Sequence, residues 1–76
     1  MNTFEKLCDI IRKELMLDEN LTLTKDTLFT ELDCDSIDLV DIVMSIEDSF
    51  DIEIIDEDLE KFKSLGDVAA YLDEKV

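Results

Sequence analysis

One hydroxyl stands among acids where a helix-period apolar pattern begins, in Asp35-Ser36-Ile37-Asp38-Leu39. A serine there can attack a substrate, cap a helix, or serve as a handle for another enzyme. Attack needs a base to take the proton and donors to hold an oxyanion. The chain has no histidine, no Gly-rich nucleophile elbow and no Ser-x-x-Lys pair. From Asp26 to Glu60 there are 14 acids and no Lys or Arg, so negative charge developing on Ser36 would be opposed from every side. Capping can be done by Asp35, whose carboxylate accepts an orphan backbone N–H. Ser36 then falls at the first helical position with its hydroxyl free to point outward. A phosphate ester at that place meets the positive helix end and unpaired amides, a gain that Asp35 and Asp38 partly offset. The spacing permits a phosphodiester without requiring one.

A second pattern follows on the same helix. Ile37, Val40 and Met44 recur at i, i+3 and i+7 beside the core stripe, flanked by Asp38, Asp41, Glu47 and Asp48. They either widen the core face or form an exposed apolar strip ringed by acids. The helix carries more apolar residues than one face needs, which favours docking: charge steers the encounter and the apolar knobs supply contact area. The acids do not make an EF-hand. Asp33 and Asp35 match its positions 1 and 3, but Asp38 replaces the required Gly and Met44 the bidentate Glu. Loose divalent binding between helix ends, involving Glu47, Asp51, Glu53 or Asp56, stands as an alternative to a solvated acidic face. No metal-ligating residue is assigned.

The elements that must position these groups are helical. There is no proline and a single glycine, Gly66, so the punctuation of hairpins is missing. Phe4, Leu7, Cys8, Ile11 and Leu15 predict a first helix from Thr3 to Leu17, capped by Asn2 or Thr3. A long connection follows to Cys34, with Leu21, Leu23, Leu28, Phe29 and Leu32 expected to pin it to the core. A second helix spans Ser36 to Phe50, its core stripe being Leu39, Ile42, Val43, Ile46 and Phe50. A short third helix fits Asp56 to Phe62, with Asp56, Glu57 and Asp58 in its first turn. A fourth starts after Ser64, whose spacing to Asp67 resembles a capping box. The fold expected is all-α, a small four-helix bundle with a long loop between helices 1 and 2, in one domain over residues 1–76.

Composition narrows the partners. The net charge of −15, from 22 acids against 7 bases, excludes the phosphate contacts on which nucleic-acid binding depends. It also disfavours anionic membrane surfaces. A protein with a basic patch fits, and self-repulsion favours a monomer. The two cysteines are too few for a disulfide scaffold. Cys8 lies on an apolar stripe, and the acids beside Cys34 are expected to raise its pKa. Met-Asn-Thr-Phe-Glu shows neither the n-region nor the h-region of a secretory signal, so a cytoplasmic protein is expected.

These residues together resemble the acyl carrier proteins of fatty acid and polyketide synthesis. The resemblance rests on helix order, on Glu31-Leu32-Asp33-Cys34-Asp35-Ser36-Ile37-Asp38 against the family's attachment motif, and on Ile46-Glu47-Asp48-Ser49-Phe50-Asp51-Ile52-Glu53-Ile54. It implies that Ser36 receives 4′-phosphopantetheine from coenzyme A through a phosphopantetheinyl transferase. The arm's thiol then carries acyl groups as thioesters between acyl-processing enzymes with basic docking patches, and the chain itself is no enzyme. It implies a recognition face of Asp35, Ile37, Asp38, Val40, Asp41, Met44, Glu47 and Asp48, and acyl-sheltering walls at Ile46, Ile54, Leu59 and Ala69. Asp33 replaces the usual Gly of the approach loop, and Ile55 a common Pro. The rival readings are a carrier of another cargo, such as an amino acid or a specialised acyl unit, and an acidic interaction module.

Overall fold

The computed structural model describes residues 2–75. It contains α1 (Thr3–Leu15), a 3-10 turn (Phe29–Leu32), α2 (Ser36–Phe50), α3 (Asp56–Leu59) and α4 (Leu65–Lys75). No strand occurs among the described residues, and the helical architecture agrees with the expectation. Residues 1 and 76, the ends of the expected domain, lie outside the described residues.

α1 forms where its apolar residues recur at helical spacing, and it starts at an Asn2 cap: the Glu5 amide donates to Asn2 Oδ1 at 2.8 Å. It ends two residues before the expected Leu17. Met16 turns left-handed at φ 55°, and the Leu17 amide reaches back to the Arg12 carbonyl at 2.9 Å. This is the Schellman closure normally supplied by glycine. Asp51 ends α2 in the same way, with the Ile52 amide on the Glu47 carbonyl at 3.2 Å. In both cases the next residue, Leu17 or Ile52, is apolar and packs against the core, which holds the turn in place.

α1 packs on α2 and α4. Leu7, Ile11, Ile42, Ile46, Leu65, Val68 and Leu72 are wholly buried between them. Each such side chain contributes about 1.5–3 kcal/mol relative to exposure. Ile46→Ala alone would cost about 2–5 kcal/mol. Two polar bonds set the register of α1 on α2: Ser45 Oγ donates to Glu14 at 2.5 Å, and Lys6 Nζ to the Ser49 carbonyl at 3.3 Å.

The connection from α1 to α2 is pinned differently from expectation. Leu23 and Phe29 are buried and Leu32 partly so, but Leu21 and Leu28 stay exposed. Backbone pairing substitutes for them. Phe29 donates to the Lys63 carbonyl at 3.1 Å, Leu65 to Thr27 at 2.9 Å and Gly66 to Lys25 at 2.8 Å. Gly66 is required by that approach: a Cβ there would sit 2.8 Å from the Lys25 carbonyl oxygen.

α3 is shorter than the predicted Asp56 to Phe62. After Leu59 the bonding tightens, with Lys61 donating to Asp58 and Phe62 to Leu59, both at 3.1 Å. That winding turns Phe62 into the core. The capping box of α4 forms as read: Asp67 donates to Ser64 Oγ at 3.3 Å and its carboxylate accepts the Ser64 amide at 3.0 Å.

Candidate functional site

The approach to Ser36 is built by two local devices. The 3-10 turn ends at Asp33, whose φ of 56° lies in the left-handed region. Asp fills this position in place of the glycine that the resemblance leads one to expect, since short polar side chains tolerate it best. The Cys34 amide then returns to the Phe29 carbonyl at 3.2 Å, which aims the chain at α2.

Asp35 and Asp38 form a reciprocal capping box. The Asp38 amide donates to Asp35 Oδ1 at 2.9 Å, and the Asp35 amide to Asp38 Oδ2 at 3.4 Å. Both carboxylates are therefore turned to the backbone, and Ser36 is relieved of capping duty. Ser36 is exposed, and its hydroxyl takes part in no hydrogen bond among the described residues. Cys34 is half-buried, with Sγ 3.7 Å from the Asp35 carbonyl. Burial pushes its thiol up first, and the Asp38 and Asp35 charges add to the effect. The expectation named only the acids; the larger cause is desolvation.

Along α2 the apolar strip stands in solvent: Ile37 is 74% exposed, Val40 46% and Met44 56%. They do not widen the core face. Asp41 and Asp48 are exposed beside them, whereas Glu47 is half-buried. The Glu47 carboxylate accepts the Ile54 amide at 2.9 Å, so it fastens the α2–α3 connection. That bond occupies Oε2 of one of the four acids considered for a divalent site. No three potential metal ligands converge among the described residues. Of the expected acyl-sheltering walls, Ile46, Ile54 and Ala69 are buried and Leu59 partly so.

A cleft of about 370 Å³ opens beside Ser36, lined by Leu28, Phe29, Thr30, Cys34, Asp35, Leu39, Phe62 and Lys63. Sequence reasoning missed Phe62 and Lys63 as neighbours of the serine. The backbone pairing of residues 25–29 with 63–66 brings them there, and no periodicity in the sequence signals that pairing.

An exposed, uncommitted hydroxyl thus stands on the first turn of an acidic helix, within an all-helical fold. The chain matches the family model for the phosphopantetheine attachment site over residues 5–72. It is 43% identical over 70 residues to an acyl carrier protein of Bdellovibrio bacteriovorus, covering 92% of this chain and 90% of that one. It is 38% identical over 73 residues to an acyl carrier protein of Helicobacter hepaticus, covering 96% of each. The crystal structure of an acyl carrier protein from Thermotoga maritima superposes with a TM-score of 0.81 at 32% identity, covering 93% of this chain and 82% of that one. The chain belongs to the acyl carrier protein family. Its prosthetic group is 4′-phosphopantetheine, its role is that of an acyl carrier, and its partners are acyl-processing enzymes. No helix among the described residues is long and apolar enough to cross a membrane.

Proposed function

We propose that Ser36 is the attachment point of the 4′-phosphopantetheine arm, and that this single-domain monomer delivers acyl intermediates between cytoplasmic enzymes of fatty acid biosynthesis. The observation that carries the reading is the free, exposed Ser36 hydroxyl, held at the start of α2 by the Asp35–Asp38 box. Fit to the group follows from the same geometry: nothing among the described residues competes for the hydroxyl, and the capping carboxylates are turned to amides. A phosphopantetheinyl transferase supplies the base and the metal. The serine oxygen forms a bond to the phosphorus of coenzyme A, the pyrophosphate bond breaks, and 3′,5′-ADP leaves. When attached, the arm supplies a terminal thiol that holds acyl groups as thioesters. The chain has no histidine and catalyses no step of its own in this reading.

Asp35, Ile37, Asp38, Val40, Asp41, Met44, Glu47 and Asp48 form the recognition face. Exposed Ile37, Val40 and Met44 provide the contact area, and the unpaired acids steer basic partners. The decisive test is incubation with coenzyme A and a broad-specificity transferase. Intact mass rises by one phosphopantetheinyl group, and Ser36→Ala abolishes the rise. An unmodified product from a competent transferase would falsify the assignment. An interaction module would instead bind its basic partner equally well as Ser36→Ala.

A further inference from the structure

An arm attached to Ser36 adds a phosphodiester charge where Asp33, Asp35 and Asp38 already stand within three residues. No base occurs between Asp26 and Glu60, so chain neighbours offer no counter-charge. The fold supplies one from farther along. The Phe29 amide on the Lys63 carbonyl places residue 63 on the cleft that Ser36 lines. The Lys63 backbone is fixed there, while its ammonium makes no ion pair or hydrogen bond among the described residues. Lys61, by contrast, is held by Asp58 at 3.3 Å. The Asp67 carboxylate is occupied with the Ser64 and Lys63 amides at 3.0 and 3.1 Å, bonds that hold it below its ordinary value with a smaller contribution from the Lys63 charge.

The rest of the cleft matches the next part of the arm. Leu28, Phe29, Leu39 and Phe62 give it an apolar wall. Leu28 is exposed although it belongs to a pairing segment, and the core does not claim it. Beyond its phosphate the arm carries a gem-dimethyl carbon and then amides, so its first apolar group follows directly on its charge. The cleft's 370 Å³ lies at the small end of ligand sites, roughly 300–1,000 Å³. That is room for a segment of the arm.

Resting on the assignment of Ser36 above, we propose that the cleft is a resting berth for the arm. The Lys63 ammonium pairs with the phosphodiester, and the gem-dimethyl segment lies on Leu28 and Phe62. The test starts from holo protein whose mass confirms one arm on Ser36; absence of that gain fails the attachment and not the berth. Nuclear Overhauser effects from the arm's methyl protons to the Phe62 ring are expected in holo protein. Amide shifts between apo and holo forms are expected at residues 28–30 and 62–63 as well as at the serine. Lys63→Gln is expected to abolish the methyl-to-ring effects and narrow the phosphorus resonance, and Lys63→Arg to retain both wild-type features. Lys63 is exposed and contributes only backbone bonds to the fold, so these variants keep the structure. Amide shifts confined to residues 35–38 in modified protein, with no methyl-to-ring effect, overturn the berth. Effects that persist unchanged in Lys63→Gln overturn the role of the lysine.

Discussion

The Tyr71 hydroxyl donates to Asp58 Oδ2 at 2.8 Å and so ties α4 to α3. α3 buries none of its own residues, which makes this bond a main constraint on where the short helix lies. The Phe62 ring meets Tyr71 edge-on, with centroids 5.3 Å apart, and stiffens the same junction. Burial and the Asp58 bond push the tyrosine up to about 12. The Tyr71 bond, with help from Lys61, holds the Asp58 carboxyl below its ordinary value.

Both shifts stabilise the folded state at neutral pH, with opposite limits. The Tyr71 contribution is complete below the unfolded value near ~10 and is lost as pH rises towards about 12. The Asp58 contribution is complete above the unfolded value near ~3.9 and is lost as pH falls through its depressed folded value. Ultraviolet titration of the single tyrosine should give a midpoint well above ~10 that drops on Asp58→Asn. Tyr71→Phe should melt at a lower temperature than wild type at pH 7. An ordinary tyrosine midpoint would show the bond to be absent in solution.

Asp33 occupies the left-handed region without being glycine. For most side chains that conformation costs about 1–2 kcal/mol. Urea unfolding should therefore place Asp33→Val about 1–2 kcal/mol below Asp33→Gly, and the glycine variant at or above wild type. Equal midpoints for the valine and glycine variants would mean that the turn relaxes to negative φ.

Gly66→Ala sets two effects against each other. Alanine gains roughly 1 kcal/mol of helix propensity within α4. Its Cβ meets the Lys25 carbonyl oxygen at 2.8 Å, and the obstacle is backbone. Overpacking of this kind costs about 1–3 kcal/mol, so net destabilisation is expected. Hydrogen exchange should report it as faster exchange of the Phe29, Leu65 and Gly66 amides. Unchanged protection at all three would refute the constraint.

Charge repulsion gives a fourth expectation. Lys61–Asp58 is the only ion pair among the described residues, while the chain carries a net charge of −15. Added salt screens the acids that have no cationic partner, and millimolar divalent ions do so more strongly. Calorimetry should show the melting temperature climbing with either. A flat response would indicate that the acids are spaced widely enough not to oppose folding.

The helices and their faces were legible because side-chain periodicity records them. Asn2, Asp35 and Ser64 announced three helix starts through their capping chemistry. Helix ends were harder to read: Met16, Asp33 and Asp51 turn left-handed without a glycine to mark the place. Tertiary packing of Leu17 and Ile52 enforces two of those turns, and a local pattern cannot express that. The serine and the exposed strip beside it were readable from residue type and spacing. The sequence offers Glu47 as a docking acid or a loose divalent ligand and not as a backbone acceptor, because its bond to the Ile54 amide depends on how the α2–α3 connection folds back. Phe62 and Lys63 are invisible in the sequence as neighbours of Ser36 because the backbone pairing of residues 25–29 with 63–66 brings them there.

The stretch over residues 18–22 is exposed throughout. Its own bonds are local, Asn20 to Asp18 Oδ1 at 2.8 Å and Leu21 to the Asp18 carbonyl at 3.1 Å, with Arg12 reaching the Leu21 carbonyl from α1. Docking of the long connection begins only afterwards, at Leu23 and the paired residues from Lys25 onward. The chain thus has a slack segment between two anchored ones, and surface segments of this kind accept foreign residues. A fluorophore-binding tag spliced between Glu19 and Asn20 should ride on the carrier without disturbing its fold, giving an optical handle that leaves both ends of the polypeptide free.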